Sequence, residues 1–384
     1  MFALAPLAAA SDRLEVEKVP SPAGESSLTP FLAASSDRLY LSWLERREGG
    51  HRFLVASFDG REFATPVEIR DSDRFFANWA DFGSVLPFGD GRLAAHWLEK
   101  AGSGSYDYDV WVAISDDAGK SFGAPRKLHR DEKLGEHGFV SLAARGDGFD
   151  AVWLDGRNFE KDAADNEMAL FFTTYDGSGW NEETLLDSRV CECCQTAMAA
   201  SSTKGLFVAY RDRSPEEIRD ISVVRSEGGK WTEPRTIHPD AWHLTGCPVN
   251  GPQASASGNR LALAWFSASN EDPRVQLVLS EDGGESFGSP VRVDGGGAIG
   301  RVDVELAGDD AFVVWLEKGG AVRARRVASS GELSESIVVA QTGSDRASGF
   351  PRMTLFRGDV YVAWTESYQR PGPSRVHLAR LVLE

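Results

Sequence analysis

A short pattern returns seven times along the chain: an apolar alternation that closes on an aromatic residue, usually with an acid two positions later. The copies are LYLSWLE ending at Glu45, LAAHWLE at Glu99, DAVWLD at Asp155, LFVAYRD at Asp212, LALAWFS at Ser267, AFVVWLE at Glu317 and VYVAWTE at Glu366. Their aromatics, Trp43, Trp97, Trp153, Tyr210, Trp265, Trp315 and Trp364, follow one another at spacings of 54, 56, 57, 55, 50 and 49 residues. A unit of that length cannot bury its apolar face alone and must stack on its copies, which excludes most folds at once.

Each unit holds four strand-like runs. The fourth reads QTAMAAS, GLFVAYRD, RDISVVRS and WTEPRTI, with Gly, Asn, Asp and Ser turn signals between them. No window keeps a helical period. Four antiparallel strands repeated at this spacing suit radial packing, so the chain is expected to be all-β: a seven-bladed β-propeller, with six blades as the alternative. The last unit ends after three runs, whereas Arg13 to Val19 (RLEVEKV) is an orphan strand ahead of the first unit. Added to the last blade, it would close one domain over residues 12–384 and cover an exposed edge.

The chain has 384 residues, 42% of them hydrophobic, and a net charge of −17, so its field repels phosphate backbones and anionic membranes. Nucleic acid and membrane insertion are therefore not expected. Residues 1–11 end an apolar run in small residues, like the tail of a secretory signal, and a disordered tail is the plainer alternative. The first reading places the protein in the periplasm or outside the cell.

A second signature recurs between third and fourth strands. SDDAGKSF (Ser115 to Phe122) and SEDGGESF (Ser280 to Phe287) share Ser-x-Asp-x-Gly-x-Ser-aromatic, with degraded copies at Ser57, Thr174 and Arg225. Asp and Ser side chains bond the backbone of such a turn while Gly takes the positive φ. In these motifs the chain resembles the Asp-box, or bacterial neuraminidase repeat, proteins of the sialidase superfamily. The resemblance implies a propeller over nearly the whole chain; in that superfamily the ring has six blades.

In such a ring, loops from the fourth strand to the next blade and from second to third strand share one face. The first set carries Trp79, Asp81, His137, the cysteines of VCECCQ, WHLTGCPVNG with His243 and Cys247, Arg301 with Asp303, and Arg352; the second carries Arg157, Arg211 and Arg219. Cys191, Cys193, Cys194 and Cys247 are the only cysteines, and they begin successive blades. With His243 nearby, four sulfurs at a propeller mouth suit copper(I) or zinc. Thiol redox chemistry and two structural disulfides stay open beside that reading.

The superfamily resemblance implies a different chemistry: three arginines holding a substrate carboxylate, a tyrosine nucleophile with a glutamate, and an aspartate acid. Arg157, Arg211, Arg301 and Arg352 could furnish the arginines, Tyr368 with Glu366 the nucleophile, and Asp81 the acid. The Arg-Ile-Pro motif of active sialidases is absent, and the cysteines have no part in that mechanism. A non-catalytic module binding a glycan, a small ligand or a protein is the third class. The acids that end the second strands could ring the channel or simply emerge into water.

Overall fold

The computed structural model describes residues 14–159, 167–369 and 372–383, and among them the chain forms seven antiparallel sheets arranged as a seven-bladed propeller. The first to third blades are Ser27–Ala34, Leu39–Arg47, Gly50–Phe58 and Val67–Ser72; then Ser84–Phe88, Arg92–Lys100, Tyr108–Ser115 and Arg126–Lys127; then His137–Arg145, Gly148–Asp155, Met168–Tyr175 and Thr184–Val190. Blade four comprises Ala197–Ser201, Gly205–Arg211 and Ile221–Glu227, its outer edge split into Lys230–Trp231 and Arg235–His238. Blade five is Gln253–Ser257, Arg260–Ser267, Arg274–Ser280 and Val291–Arg292, and blade six Ala298–Ala307, Asp310–Glu317, Ala321–Val327 and Ile337–Gln341. Blade seven takes Arg352–Phe356, Asp359–Glu366 and Arg375–Leu383 from the end of the chain and Leu14–Val19 from its beginning. Six paired residues, from Leu14 with Leu383 to Val19 with Leu378, make that junction. The segment 1–11 lies outside the described residues.

The packing explains the repeat. Buried apolar residues form seven clusters, one at each junction of adjacent blades, that of blades three and four also taking in Ala80, Phe82 and Phe350; Trp315 of blade six, for example, packs with Ala264, Phe266 and Val275 of blade five. A buried indole needs a partner for its N–H. Residues two apart on a strand share a face, and the indole nitrogens of Trp97, Trp153 and Trp315 donate to Glu99, Asp155 and Glu317 at 3.0, 2.7 and 3.1 Å. Ser267 breaks the pattern in blade five, and there Trp265 turns to Asp240 at 2.7 Å. Three of these recurrent acids thus satisfy the core rather than forming a charged ring.

The two full turn motifs bond alike. Ser121 N and Ser286 N reach Oδ1 of Asp117 and Asp282 at 2.9 Å, and the Gly119 and Gly284 amides reach Oγ of Ser115 and Ser280, also at 2.9 Å. Gly119 and Gly284 hold φ of 82° and 85°. The Ser121 bonds hold the Asp117 carboxyl down at about 2.

Inner strands of all seven blades line an axial channel of about 350 Å³. Gln195, Asp303, Glu305 and Arg352 are among its polar walls. No helix among the described residues is long and apolar enough to cross a membrane.

Candidate thiolate site between blades three, four and five

The connector from blade three to blade four is short and tied down at both ends. Cys191 N donates to the Arg211 carbonyl at 3.0 Å, which extends the edge of blade four's second strand. Gln195 spans the next gap, donating to the Ala80 carbonyl at 2.7 Å and accepting from Gly251 N at 2.9 Å. Between these anchors the three sulfurs of Cys191, Cys193 and Cys194 lie within 4.8 Å of one another. Cys191 Sγ is 3.2 Å from Cys194 Sγ and 4.0 Å from Cys193 Sγ. All four thiols are free, Cys191 and Cys194 buried, Cys193 half-buried and Cys247 exposed. Cys247, from the connector into blade five, stands outside this group of three, although its thiol helps to push Cys193 up.

Arginines surround the sulfurs. Arg219, itself buried, donates from Nη1 to Cys191 Sγ at 3.2 Å and to Glu192 at 2.7 Å, from Nη2 to Glu217 at 2.8 Å and from Nε to the Leu244 carbonyl at 3.0 Å. Arg211 lies beneath, its guanidinium on the carbonyls of Asn250, Arg219 and Phe266 and 4.9 Å from the Trp242 ring centroid. Burial opposes ionisation of Cys191, but hydrogen bonds from Cys193 and Cys194 and the Arg219 charge outweigh it and hold this thiol well below its ordinary range. The bond to Cys191 pushes Cys193 up, and burial does the same to Cys194. Of the three sulfurs, Cys191 is thus the one whose surroundings favour the thiolate, with Arg219 as its charged donor.

His243 stands apart from the sulfurs: it is exposed, and its backbone pairs with Ile218. Of the residues expected to carry hydrolysis, Asp81 and Arg352 line the axial channel together, with Arg301 beside them over Trp79, whereas Tyr368 and Glu366 are not among the channel's lining. Tyr368 is 61% exposed with its hydroxyl on the Gln341 carbonyl, while Glu366 pairs with His377 at 3.0 Å. Arg157 is bound to Asp155 and Glu183. Arg301 donates to Ser348 and the Gly349 carbonyl over the Trp79 ring, and Arg352 is buried among Phe31, Phe82 and Phe350 with Asp303 at 3.9 Å. Asp81, 2% exposed, accepts from the Tyr108 hydroxyl at 2.7 Å and Phe139 N at 2.8 Å.

Sequence reasoning overlooked Tyr108 and Glu136, whose hydroxyl and carboxylate meet at 2.9 Å beside Asp81. Burial raises the Asp81 carboxyl to about 7 and that of Glu136 to about 8. It also overlooked the thiolate role of Arg219. The doublet YRDRSPEEIRD carried the signal, since its length brings a second-to-third-strand loop back over the preceding connector.

No protein-family model matches the chain, and no curated protein does. Among solved structures it is similar to the polysaccharide lyase Uly1, at 12% identity, 92% of this chain, 89% of that one and a TM-score of 0.56. A mutant of AofleA from Arthrobotrys oligospora is similar over 85% of this chain and 91% of its own, at 11% identity and a TM-score of 0.53. The NanB sialidase from Streptococcus pneumoniae, as its K499G mutant, aligns over 95% and 70% at 12% identity and a TM-score of 0.47. The class is thus a propeller, the fold shared with the lyase and with AofleA. Identities this low concern the fold alone.

Proposed function

We propose that Cys191, Cys193, Cys194 and Cys247 form a soft-metal site, for copper(I) or zinc, at the mouth of an exported propeller. The observation that carries this reading is the convergence of three sulfurs within 4.8 Å, one of them accepting a hydrogen bond from Arg219. Thiolates select such ions, and metal binding completes the deprotonation that Arg219 has begun. Cys247, exposed on the neighbouring connector, supplies the fourth donor and the route by which an ion enters. Export rests on the apolar segment 1–11 and matches a protein that meets metal ions outside the cytoplasm.

Metal analysis with a free-thiol count tests this. Loading the reduced protein with copper(I) or zinc should give about one tightly held ion and protect the thiols from alkylation. A protein that takes up neither ion, with its sulfurs locked in disulfides, overturns it.

The 3.2 Å approach of Cys191 and Cys194 favours thiol redox as the second reading. The Cys191 thiolate would attack a partner's disulfide and expel one partner thiol, and Cys194 would resolve the mixed disulfide, leaving the partner reduced and this pair oxidised. Glycoside hydrolysis comes behind both, because Arg157 and Arg211 have their donors on groups of the protein itself, whereas Arg352 Nε is buried without a hydrogen-bond partner among the described residues. Release of the fluorophore from a fluorogenic sialoside would reverse that order.

A further inference from the structure

Two histidines stand face to face between blades two and three, well separated in sequence from the cysteines. The rings of His129 and His137 are stacked with centroids 3.8 Å apart and planes 3° from parallel, and both side chains are fully buried. Every ring nitrogen faces oxygen. His129 Nδ1 is 3.1 Å from the Asp131 carbonyl, so its N–H belongs there. His137 Nε2 is 3.1 Å from Asp131 Oδ2 and 3.6 Å from Asp155 Oδ1, so its N–H belongs there.

The remaining nitrogens then carry lone pairs. His129 Nε2 lies 3.4 Å from Asp109 Oδ1 without a hydrogen-bond partner. His137 Nδ1 lies 3.9 Å from the same oxygen and 3.2 Å from the Tyr108 carbonyl. With both rings neutral, two nitrogens and two oxygens converge with no hydrogen to share; an imidazolium at His129 alone would give Asp109 a hydrogen and still leave His137 Nδ1 facing the Tyr108 carbonyl. Shifting the His137 proton to Nδ1 only moves the deficit to Asp131 and Asp155. Charging both rings would stack two buried imidazoliums, and burial together with the His129 charge pushes His137 down.

We propose that His129 Nε2, His137 Nδ1 and Asp109 Oδ1 bind one first-row divalent cation of the zinc class. Ligand bonds of 2.0–2.2 Å in a tetrahedron put donor atoms about 3.4 Å apart, close to the spacings present here. Lys127 occupies only Oδ2 of Asp109, at 2.9 Å, and leaves Oδ1 free for the ion. Asp131 orients both rings from behind, through its carbonyl and its carboxylate, as outer-layer partners of metal-bound histidines do. Binding requires the rings to tilt out of their parallel stack so that both lone pairs meet one ion. The site is nitrogen–oxygen in character, unlike the sulfur site, and would clamp the connector between blades two and three.

Cobalt(II) serves as a coloured probe. The natural chain, with its thiols capped as methyl disulfides by a methanethiosulfonate, should take up one cobalt(II) with weak visible bands and no thiolate charge-transfer band, and zinc should displace it. Asp109→Asn and His129→Gln should each weaken uptake tenfold or more. No uptake by the capped natural chain, where no substitution can impair folding, overturns the proposal. Unchanged affinity in both variants overturns it as well. Because the sulfurs are blocked throughout, failure here leaves the thiolate reading standing, and the reverse holds for the thiol count.

Discussion

Arg219 donates to Cys191 Sγ at 3.2 Å across 28 residues of chain, joining a loop of blade four to the connector that precedes it. This contact makes the cysteine cluster chemically asymmetric. Substituting Arg219 by Gln removes the charge and leaves the amide too short to serve Glu192, Glu217 and the Leu244 carbonyl together. We expect alkylation of Cys191 by iodoacetamide at neutral pH to slow at least tenfold, read by peptide mass spectrometry. The unpaired groups should cost roughly 1–3 kcal/mol of stability. Arg219→Lys should recover part of the reactivity, since a point charge remains without the fork.

The Tyr108 hydroxyl touches Asp81 Oδ2 at 2.7 Å and Glu136 Oε1 at 2.9 Å, yet it has one hydrogen to give. One of the carboxyls must therefore hold a proton. Burial lifts both groups, to about 7 and about 8, from ordinary values of 3.8 and 4.5. A folded value above the unfolded one means stability that is complete below about pH 4 and is lost as pH rises through 7 to 8. We expect chemical denaturation to show declining stability from pH 5 to 8.5. Asp81→Asn, which keeps an acceptor for Phe139 N, should flatten that slope, by on the order of 3 kcal/mol for a group this buried.

The fold was legible because its signals are periodic. A buried aromatic recurs at a fixed spacing, its indole satisfied by the following acid in three blades though not at Trp43 or Trp364, and the orphan strand before the first unit matched the strand missing from the last. The site was legible only in part. Cys191, Cys193 and Cys194 are neighbours in sequence, so their convergence needed no tertiary knowledge, and the shared place of Cys247 in the next connector follows from the repeat. The partner of Cys191 did not follow, because one arginine among several in YRDRSPEEIRD reaches the sulfur by the path of its loop. His129 was hidden for a similar reason. It stands eight residues before His137 in a connector without strand character, and only the stacked rings show that the two act together.

The ring closes through noncovalent pairing alone, so its weakest joint should be the one made by the first described strand. Leu14 is 4% exposed and packs with Phe312, Val314 and Val339 of blade six. Leu14→Ala should cost about 2–5 kcal/mol, as large-to-small core changes do. Removing residues through Val19 should do more, by uncovering the edge of Arg375–Leu383. Size-exclusion chromatography should then show association through that edge, with a lowered midpoint of thermal unfolding.

Gly251 is the last test of how the channel wall and the cysteines are linked. Its N–H meets the Gln195 side chain, and a Cβ there would come within 1.9 Å of the Gln195 carbonyl oxygen, a backbone atom that no rotamer change can move aside. Gly251→Ala therefore has to displace the segment that carries Cys194 or the start of blade five. Overpacking of this kind costs roughly 1–3 kcal/mol. The displacement also pulls on the three-sulfur geometry, so copper(I) affinity, measured by competition with a chromogenic chelator, should fall together with the thermal midpoint. Gly295, whose Cβ would meet nothing within 4 Å, is the control: Gly295→Ala should leave copper(I) affinity unchanged.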